Sequence, residues 1–263
     1  MESFTREADM LDPIVSGRHK FTSLRTRWES FFEVQTSQGV VDLIFAVFLP
    51  SRVNERETWG AHPIQERSSL DALTALSPKL SEPQGLLTMS TVEIADRARI
   101  SPSHLRQKVL PHLVDLGWVE RSGKSHWRAR HLHKCPTSSI YAIEVKRSDW
   151  QRALMQATSH TRFANKTYVA MDASRIPRSP ESLEGAMRFT GVGMISVSAD
   201  NQRSPVSVVI EAKKKSPSSV DRLLVAERLL AIRSSGGNAG EMSHVFGQWV
   251  TTSSGPDPRR SMV

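Results

Sequence analysis

The chain has 263 residues, 38% of them hydrophobic, and 35 Lys and Arg against 27 Asp and Glu give a net charge of +8. That length suits one large domain or two ordinary ones. No run of about 18 apolar residues exists to span a bilayer, and the basic excess favours a polyanionic partner, nucleic acid first.

A single cysteine, Cys135, excludes an internal disulfide and suits the reducing cytoplasm. The opening MESFTREADMLDPIV carries acids early and lacks the apolar core of a signal peptide.

In chain order, residues 22–33 (TSLRTRWESFFE) place Leu24, Trp28, Phe31 and Phe32 at helical spacing and predict a helix capped by Thr22 or Ser23. GVVDLIFAVFLP, with Asp42 in its middle, predicts a buried strand ended by Pro50. Residues 51–66 are polar and read as loop. SLDALTAL reads as a short helix, followed by the Pro/Gly punctuation SPKLSEPQG. STVEIADRARI predicts a second helix with Ser90 and Glu93 as a capping box. A third follows in ISPSHLRQKVLPHLVDLGW, capped by Ser101, with Pro102 at its first position and Gly117 as its stop. Pro111 inside it removes a backbone donor and predicts a kink or a restart. WVERSGKSHWRAR reads as a hairpin around Ser122-Gly123.

SIYAIEVKRSDWQRALMQATSHTRFANKTYVAMD, from Ser139, reads as strand, helix and strand. RIPRSPESLEG reads as loop, GVGMISVSA and SPVSVVIEAK as strands, and SSVDRLLVAERLLAIR as an amphipathic helix capped by Ser218 or Ser219. The Gly/Ser-rich stretch after Ser234 reads as a loosely ordered tail.

The basic excess is concentrated. Between Ser101 and Lys134, Arg106, Lys108, Arg121, Lys124, Arg128, Arg130 and Lys134 face only Asp115 and Glu120. Helices, then a hairpin, within about 60 residues form the order of a helix-turn-helix with a wing. The stretch from Leu86 to Arg130 closely resembles winged-helix DNA-binding families, with Leu105, Val109, Leu113 and Leu116 as the apolar stripe. The resemblance implies a DNA-contacting face of Ser103, His104, Arg106, Gln107 and Lys108. It implies a wing bearing Arg121, Lys124, His126, Arg128 and Arg130, whose donors suit phosphates and base edges.

Glu144 and Lys146 stand two apart in a strand, so they share a face opposite Ile143 and Val145. A lone buried charge is costly; an adjacent pair offsets that cost, and a divalent cation offsets it further. Carboxylates that hold Mg²⁺, beside a lysine that orients water or stabilises developing charge, are the set phosphodiester hydrolysis uses. No acid lies between Arg121 and Ile143, and Asp42, inside the apolar run GVVDLIFAVF, is the best candidate for the second carboxylate.

The arrangement resembles the PD-(D/E)xK nuclease superfamily, over roughly residues 20–50 and 138–230. The matching pieces are an acid on a helix (Glu29, with Glu33 as its alternative), a strand with Asp42, and a strand with Glu144 and Lys146. A helix carrying Gln156 and His160 four residues apart follows, and then the strand KTYVAMD.

That resemblance implies an α/β fold: a restriction-endonuclease-like mixed sheet core flanked by helices and interrupted by a winged helix-turn-helix. The expected division is core at 1–60 and 135–235, insertion at 61–134 and tail at 236–263. The implied activity is Mg²⁺- or Mn²⁺-dependent cleavage of double-stranded DNA in the cytoplasm, with Asp42 and Glu144 as metal ligands. Lys146, Gln156 and Glu29 assist, and a homodimer is possible. A second Glu-x-Lys, Glu211 and Lys213 below Asp200, is a rival copy. His126, His131, His133 and Cys135 invite a zinc reading, but one thiolate is thin support for it. The alternatives are a non-catalytic DNA-binding regulator on a degenerate nuclease scaffold, and an RNA-acting nuclease.

Overall fold

A computed structural model describes residues 3–78, 86–177, 181–200, 204–217 and 219–239, together with the backbone of 244–245 and 248–249. The alternative cap Ser218, most of the Pro/Gly punctuation and nearly all of the expected tail lie outside these residues. The protein is mixed α/β and divides into two compact units: Met1–Val47 with Thr137–Ser219 and Ile232–Val263, and Phe48–Pro136 with Val220–Ala231. The second unit is thus wider than the 61–134 expected.

The first unit is built on a six-stranded mixed sheet among the described residues. In chain order its strands are β1 (Glu29–Thr36), β2 (Gly39–Phe48), β6 (Thr137–Lys146), β7 (Lys166–Asp172), β8 (Gly193–Val197) and β9 (Val206–Ile210), and they lie side by side in that order. β1 and β2 are antiparallel, β6–β7 and β7–β8 parallel, and β8–β9 antiparallel. One face carries Leu43, Phe45, Ile143, Val145 and Tyr168, and packs on Met10, Leu11 and Ile14 of the N-terminal helical segment. The other face carries Val169, Met171 and Met194. Those residues pack on Ala153, Leu154 and Ala157 of α7 (Trp150–His160) and on Leu183 and Met187 of α8 (Glu181–Thr190). Both faces are covered, so the central strands are apolar almost throughout.

The helix expected over 22–33 does not form. β1 begins at Glu29 and is joined to β2 through Ser37-Gln38, with Thr36 opposite Gly39. Phe31, Phe32 and Val34 suit a half-buried strand, and the Thr36 hydroxyl closes the turn by donating to the Gly39 carbonyl at 2.7 Å and accepting from the Gln38 N–H. The loop expected from Arg175 to Gly185 ends early, because Leu183 and Met187 sit one turn apart and start α8 in spite of Gly185.

The second unit opens with α2 (Pro50–Trp59), which replaces the first part of the loop expected at 51–66; residues 61–66 remain loop. Pro50 at its first position and Gly60 past its end are the ordinary start and stop signals. Then come α3 (Arg67–Ala75), β3 (Thr88–Ser90) and α4 (Thr91–Ala98), with the Ser90–Glu93 capping box formed in both directions. A continuous helical stretch follows: α5 (Pro102–His104), a π-helical turn (Leu105–Val109) and α6 (Leu110–Asp115). The Leu110 N–H reaches back five residues to the Leu105 carbonyl. This wider turn accommodates Pro111, which lacks an N–H and would crowd the preceding α-turn. β4 (Val119–Arg121) and β5 (His126–Ala129) form the expected hairpin, and β3 adds to it in the order β3-β5-β4. Leu70, Leu73, Ile94, Leu105, Leu113 and Trp118 centre the core, against which Leu223 and Leu224 of α9 (Val220–Ser234) pack.

Gly117 ends α6 at φ +79°. Its N–H donates to Val114 and that of Trp118 to Leu113, a closing pattern that needs a left-handed residue. A Cβ there would lie 2.7 Å from the Gly60 carbonyl oxygen. Gly117→Ala is therefore expected to cost roughly 2 kcal/mol or more. Denaturant titration checks this, and an unchanged midpoint would refute it.

Candidate active site

β2 and β6 are neighbouring inner strands of the sheet, and the i, i+2 spacing in β6 puts Glu144 and Lys146 on the side away from Ile143 and Val145. The Lys146 ammonium lies 3.0 Å from Glu144 Oε1 and 3.6 Å from Asp42 Oδ2. Asp42 Oδ2 also accepts the Val145 N–H at 2.7 Å, which fixes its carboxylate across the strand boundary. Three side chains from segments about a hundred residues apart thus converge. Glu144 is fully buried and Asp42 nearly so.

Two acids join them without having been singled out for this place. Glu7, on the 3₁₀ turn Glu7–Met10, lies 3.7 Å from the Lys146 ammonium and accepts the Arg147 N–H at 3.3 Å. Its signal is legible: residues 7, 10, 11 and 14 form one helical stripe on which Met10, Leu11 and Ile14 are buried, so an acid on that stripe needs a partner. Glu33, named only as the alternative to Glu29, falls between the Phe32–Leu43 and Val34–Val41 pairs of the β1–β2 ladder and is buried. It adopts φ +48°, a strained value for a non-glycine residue within a strand. Glu29 is the correction. It sits four positions earlier, at the start of β1 and opposite Ala46, and its carboxylate takes Arg233 at 3.0 Å, because the segment is a strand and not the expected helix.

The electrostatics follow from several acids sharing one ammonium. Burial, then the charge of Glu144, pushes the Asp42 carboxyl up to about 8. The same two causes push Glu33 up to about 7. Burial works to lower the Lys146 pKa, but Asp42 and Glu144 outweigh it and the ammonium is held above its ordinary range. A second cation at this point would relieve the same imbalance.

α7 covers the cluster. The His160 Nε2 lies 3.4 Å from Glu144 Oε2, and His160 is itself buried. Gln156 is half-buried, and its Oε1 is shielded from solvent without a hydrogen-bond partner among the described residues. Glu144 Oε1 is likewise shielded from solvent, and the polar neighbour beside it among the described residues is the Lys146 ammonium at 3.0 Å. Among the described residues no three His, Cys, Asp or Glu side chains are placed to hold one metal ion. Asp42 and Glu144 offer two carboxylates, which fits Mg²⁺, an ion commonly held by one or two protein carboxylates with water and phosphate completing its shell.

The rival motif is occupied otherwise. Glu211 lies past the end of β9, accepts the Tyr168 hydroxyl at 2.7 Å and pairs with Lys166. The zinc reading finds His133 bound to Glu227 at 2.8 Å and His131 stacked on Trp59.

In the second unit Ser103, His104, Arg106, Gln107 and Lys108 are all exposed, as are Arg121, Lys124, His126, Arg128 and Arg130. Two of the wing residues are already engaged. Arg121 donates to the Gly123 and Lys124 carbonyls and covers Trp127, which braces the hairpin tip. Arg128 pairs with Glu120, its Nε donating at 2.9 Å.

Comparison of the chain with family models, with curated proteins and with solved structures finds no match in any of the three. No helix among the described residues is long and apolar enough to cross a membrane.

Proposed function

We propose that the chain is a metal-dependent DNA endonuclease of the PD-(D/E)xK type, with a winged-helix segment that holds duplex DNA. One observation carries the reading: Asp42, Glu144 and Lys146 converge on the neighbouring strands β2 and β6, and one ammonium serves more carboxylates than it can neutralise. Asp42 and Glu144 would hold Mg²⁺ or Mn²⁺, which when bound polarises a scissile phosphate and acidifies its water. Lys146 supplies a positive charge to orient the attacking water or meet charge developing on the phosphoryl oxygens. His160 and the Val145 N–H hold the two carboxylates in place. The order of helices and the β3-β5-β4 sheet in the second unit support the winged-helix reading. The exposed basic side chains there suit phosphate contacts, which give affinity without reading sequence.

A second reading has its own support. Lys146 bridges the two carboxylates by itself, which is also how a regulator built on a degenerate nuclease scaffold would neutralise them. Supercoiled plasmid incubated with wild-type protein separates the two. Nicking or linearisation in Mg²⁺ or Mn²⁺ and none in EDTA is expected. DNA retention in a gel without cleavage, in either metal and over several substrates, would support the regulator. Faster loss of single-stranded RNA than of duplex DNA would identify an RNA-acting enzyme.

A further inference from the structure

The three-stranded sheet of the second unit turns a basic face outward, and one acid stands on it. In β5, Trp127 and Ala129 pack against the core of the unit, so His126 and Arg128 point the other way. Arg130 follows one residue past the strand, and Lys124 sits in the hairpin turn; both are exposed, and neither has an ion pair among the described residues. Arg128 differs. It stands directly across from Glu120 of β4 in the antiparallel register, with the uncharged Thr88 of β3 on its other side. Its Nε donates to Glu120 Oε1 at 2.9 Å, and its Nη2 donates to the same oxygen. Two of the donors that a guanidinium carries are thus spent on one carboxylate, and the charge on the central strand is cancelled. Glu120 is the one acid in the three strands TMS, VER and HWRA. Stability does not account for it. The Arg128 and Glu120 side chains are 50% and 41% exposed, and ion pairs in that setting contribute little to folding.

We propose that Glu120 limits the affinity of this face for duplex DNA: it holds Arg128 out of phosphate contact and repels a phosphate that approaches. The inference rests on the winged-helix reading above and adds to it a residue that acts against binding. Phosphate contacts give affinity whatever the sequence. A cation masked on the central strand of the wing therefore lowers sequence-independent binding. It leaves a larger share to side chains such as Ser103 and Gln107, whose groups can meet base edges.

The test is made in EDTA, so that cleavage does not enter. A fluorescent 20-base-pair duplex is titrated by anisotropy at several salt concentrations into wild type, Glu120→Gln, the double variant Glu120→Gln with Arg128→Gln, and Glu57→Gln. Glu57 is an exposed acid on α2, so its variant makes the same change in net charge away from the wing. Glu120→Gln keeps an oxygen for Arg128 and removes only the charge. It is expected to bind roughly five- to tenfold more tightly near 0.1 M salt, with the slope of log K against log [salt] steeper by about 0.9, the effect of one added phosphate contact. The double variant has lost the freed cation and is expected to return to wild-type affinity and slope. Glu57→Gln is expected to bind as wild type does. All four proteins are expected to melt together, since the altered side chains are exposed. An unchanged affinity in Glu120→Gln, a gain that persists in the double variant, or an equal gain in Glu57→Gln overturns this inference and leaves the winged-helix reading standing. A wild type that binds no duplex overturns both.

Discussion

An Asp42→Asn variant is expected to melt higher than the wild type at pH 8 in EDTA, and to lose metal-dependent cleavage by on the order of 10³-fold. Asn keeps an oxygen to accept the Val145 N–H and has no charge to bury. In the wild type, burial and the neighbouring Glu144 move the Asp42 carboxyl from 3.8 to about 8. Its folded pKa is raised, so the folded state binds the proton more tightly than the unfolded one. Stability is full below 3.8, falls as pH rises from there to about 8, and is flat beyond. At 1.36 kcal/mol per unit, a displacement of this kind is worth a few kcal/mol, which Asn recovers at pH 8 and scarcely at all near pH 4. Mg²⁺ should reverse the order: it raises the wild-type melting temperature, more at pH 8 than at pH 5.5, and leaves the variant where it is. A pH-independent difference between the two proteins, or equal Mg²⁺ stabilisation of both, would remove Asp42 from any metal role.

The convergence of Asp42, Glu144 and Lys146 is legible in the sequence because strand alternation is a rigid rule and a carboxylate next to an ammonium in an apolar run breaks the pattern it should follow. Capping chemistry is equally legible: Ser90 with Glu93, Ser101 before Pro102, and Gly117 each fix a helix end through a specific backbone bond. The rest resists reading for identifiable reasons. Leu24, Trp28, Phe31 and Phe32 have helical spacing by coincidence, and the pairing of β1 with β2, a non-local contact, decides the segment against it. Pro50 and Gly60 signal α2, but the polar run between them, with only Val53 and Arg56 buried, hides its inward face. Glu33 reaches the cluster with a positive φ that no alternation rule anticipates, and Glu7 arrives from a segment whose stripe is short. Pro111 interrupts nothing, since one π-turn absorbs it.

Glu227→Ala should do the greatest damage to the second unit, for a reason invisible in the amphipathic pattern of α9. Glu227 is fully buried. It accepts two hydrogen bonds from the Arg56 guanidinium at 2.6 and 2.7 Å, one from His133 at 2.8 Å and one from the Ile64 N–H at 3.0 Å. Arg56 itself is buried against the Trp118 ring and donates to the Lys134 carbonyl. Removing the carboxylate strands a guanidinium, an imidazole and a backbone donor without their acceptor, which costs about 3–5 kcal/mol. Glu227→Gln keeps the shape but loses the charge and is expected to fall only a little less. Burial works to raise the Glu227 pKa, but the bonds from His133 and Arg56 outweigh it and hold it at about 2. The sign is opposite to that of Asp42: the contribution is complete above the ordinary value of 4.5 and disappears as pH falls from there toward 2. The gap between wild type and Glu227→Gln in denaturant titrations should therefore narrow from pH 7 to pH 3. The double variant Arg56→Met with Glu227→Leu should regain part of the loss, because it removes the stranded charge along with its partner, while His133 and the Ile64 N–H stay unpaired. A Glu227→Ala protein within about 0.5 kcal/mol of wild type at pH 7 would mean that this buried network contributes no more than ordinary surface polarity does.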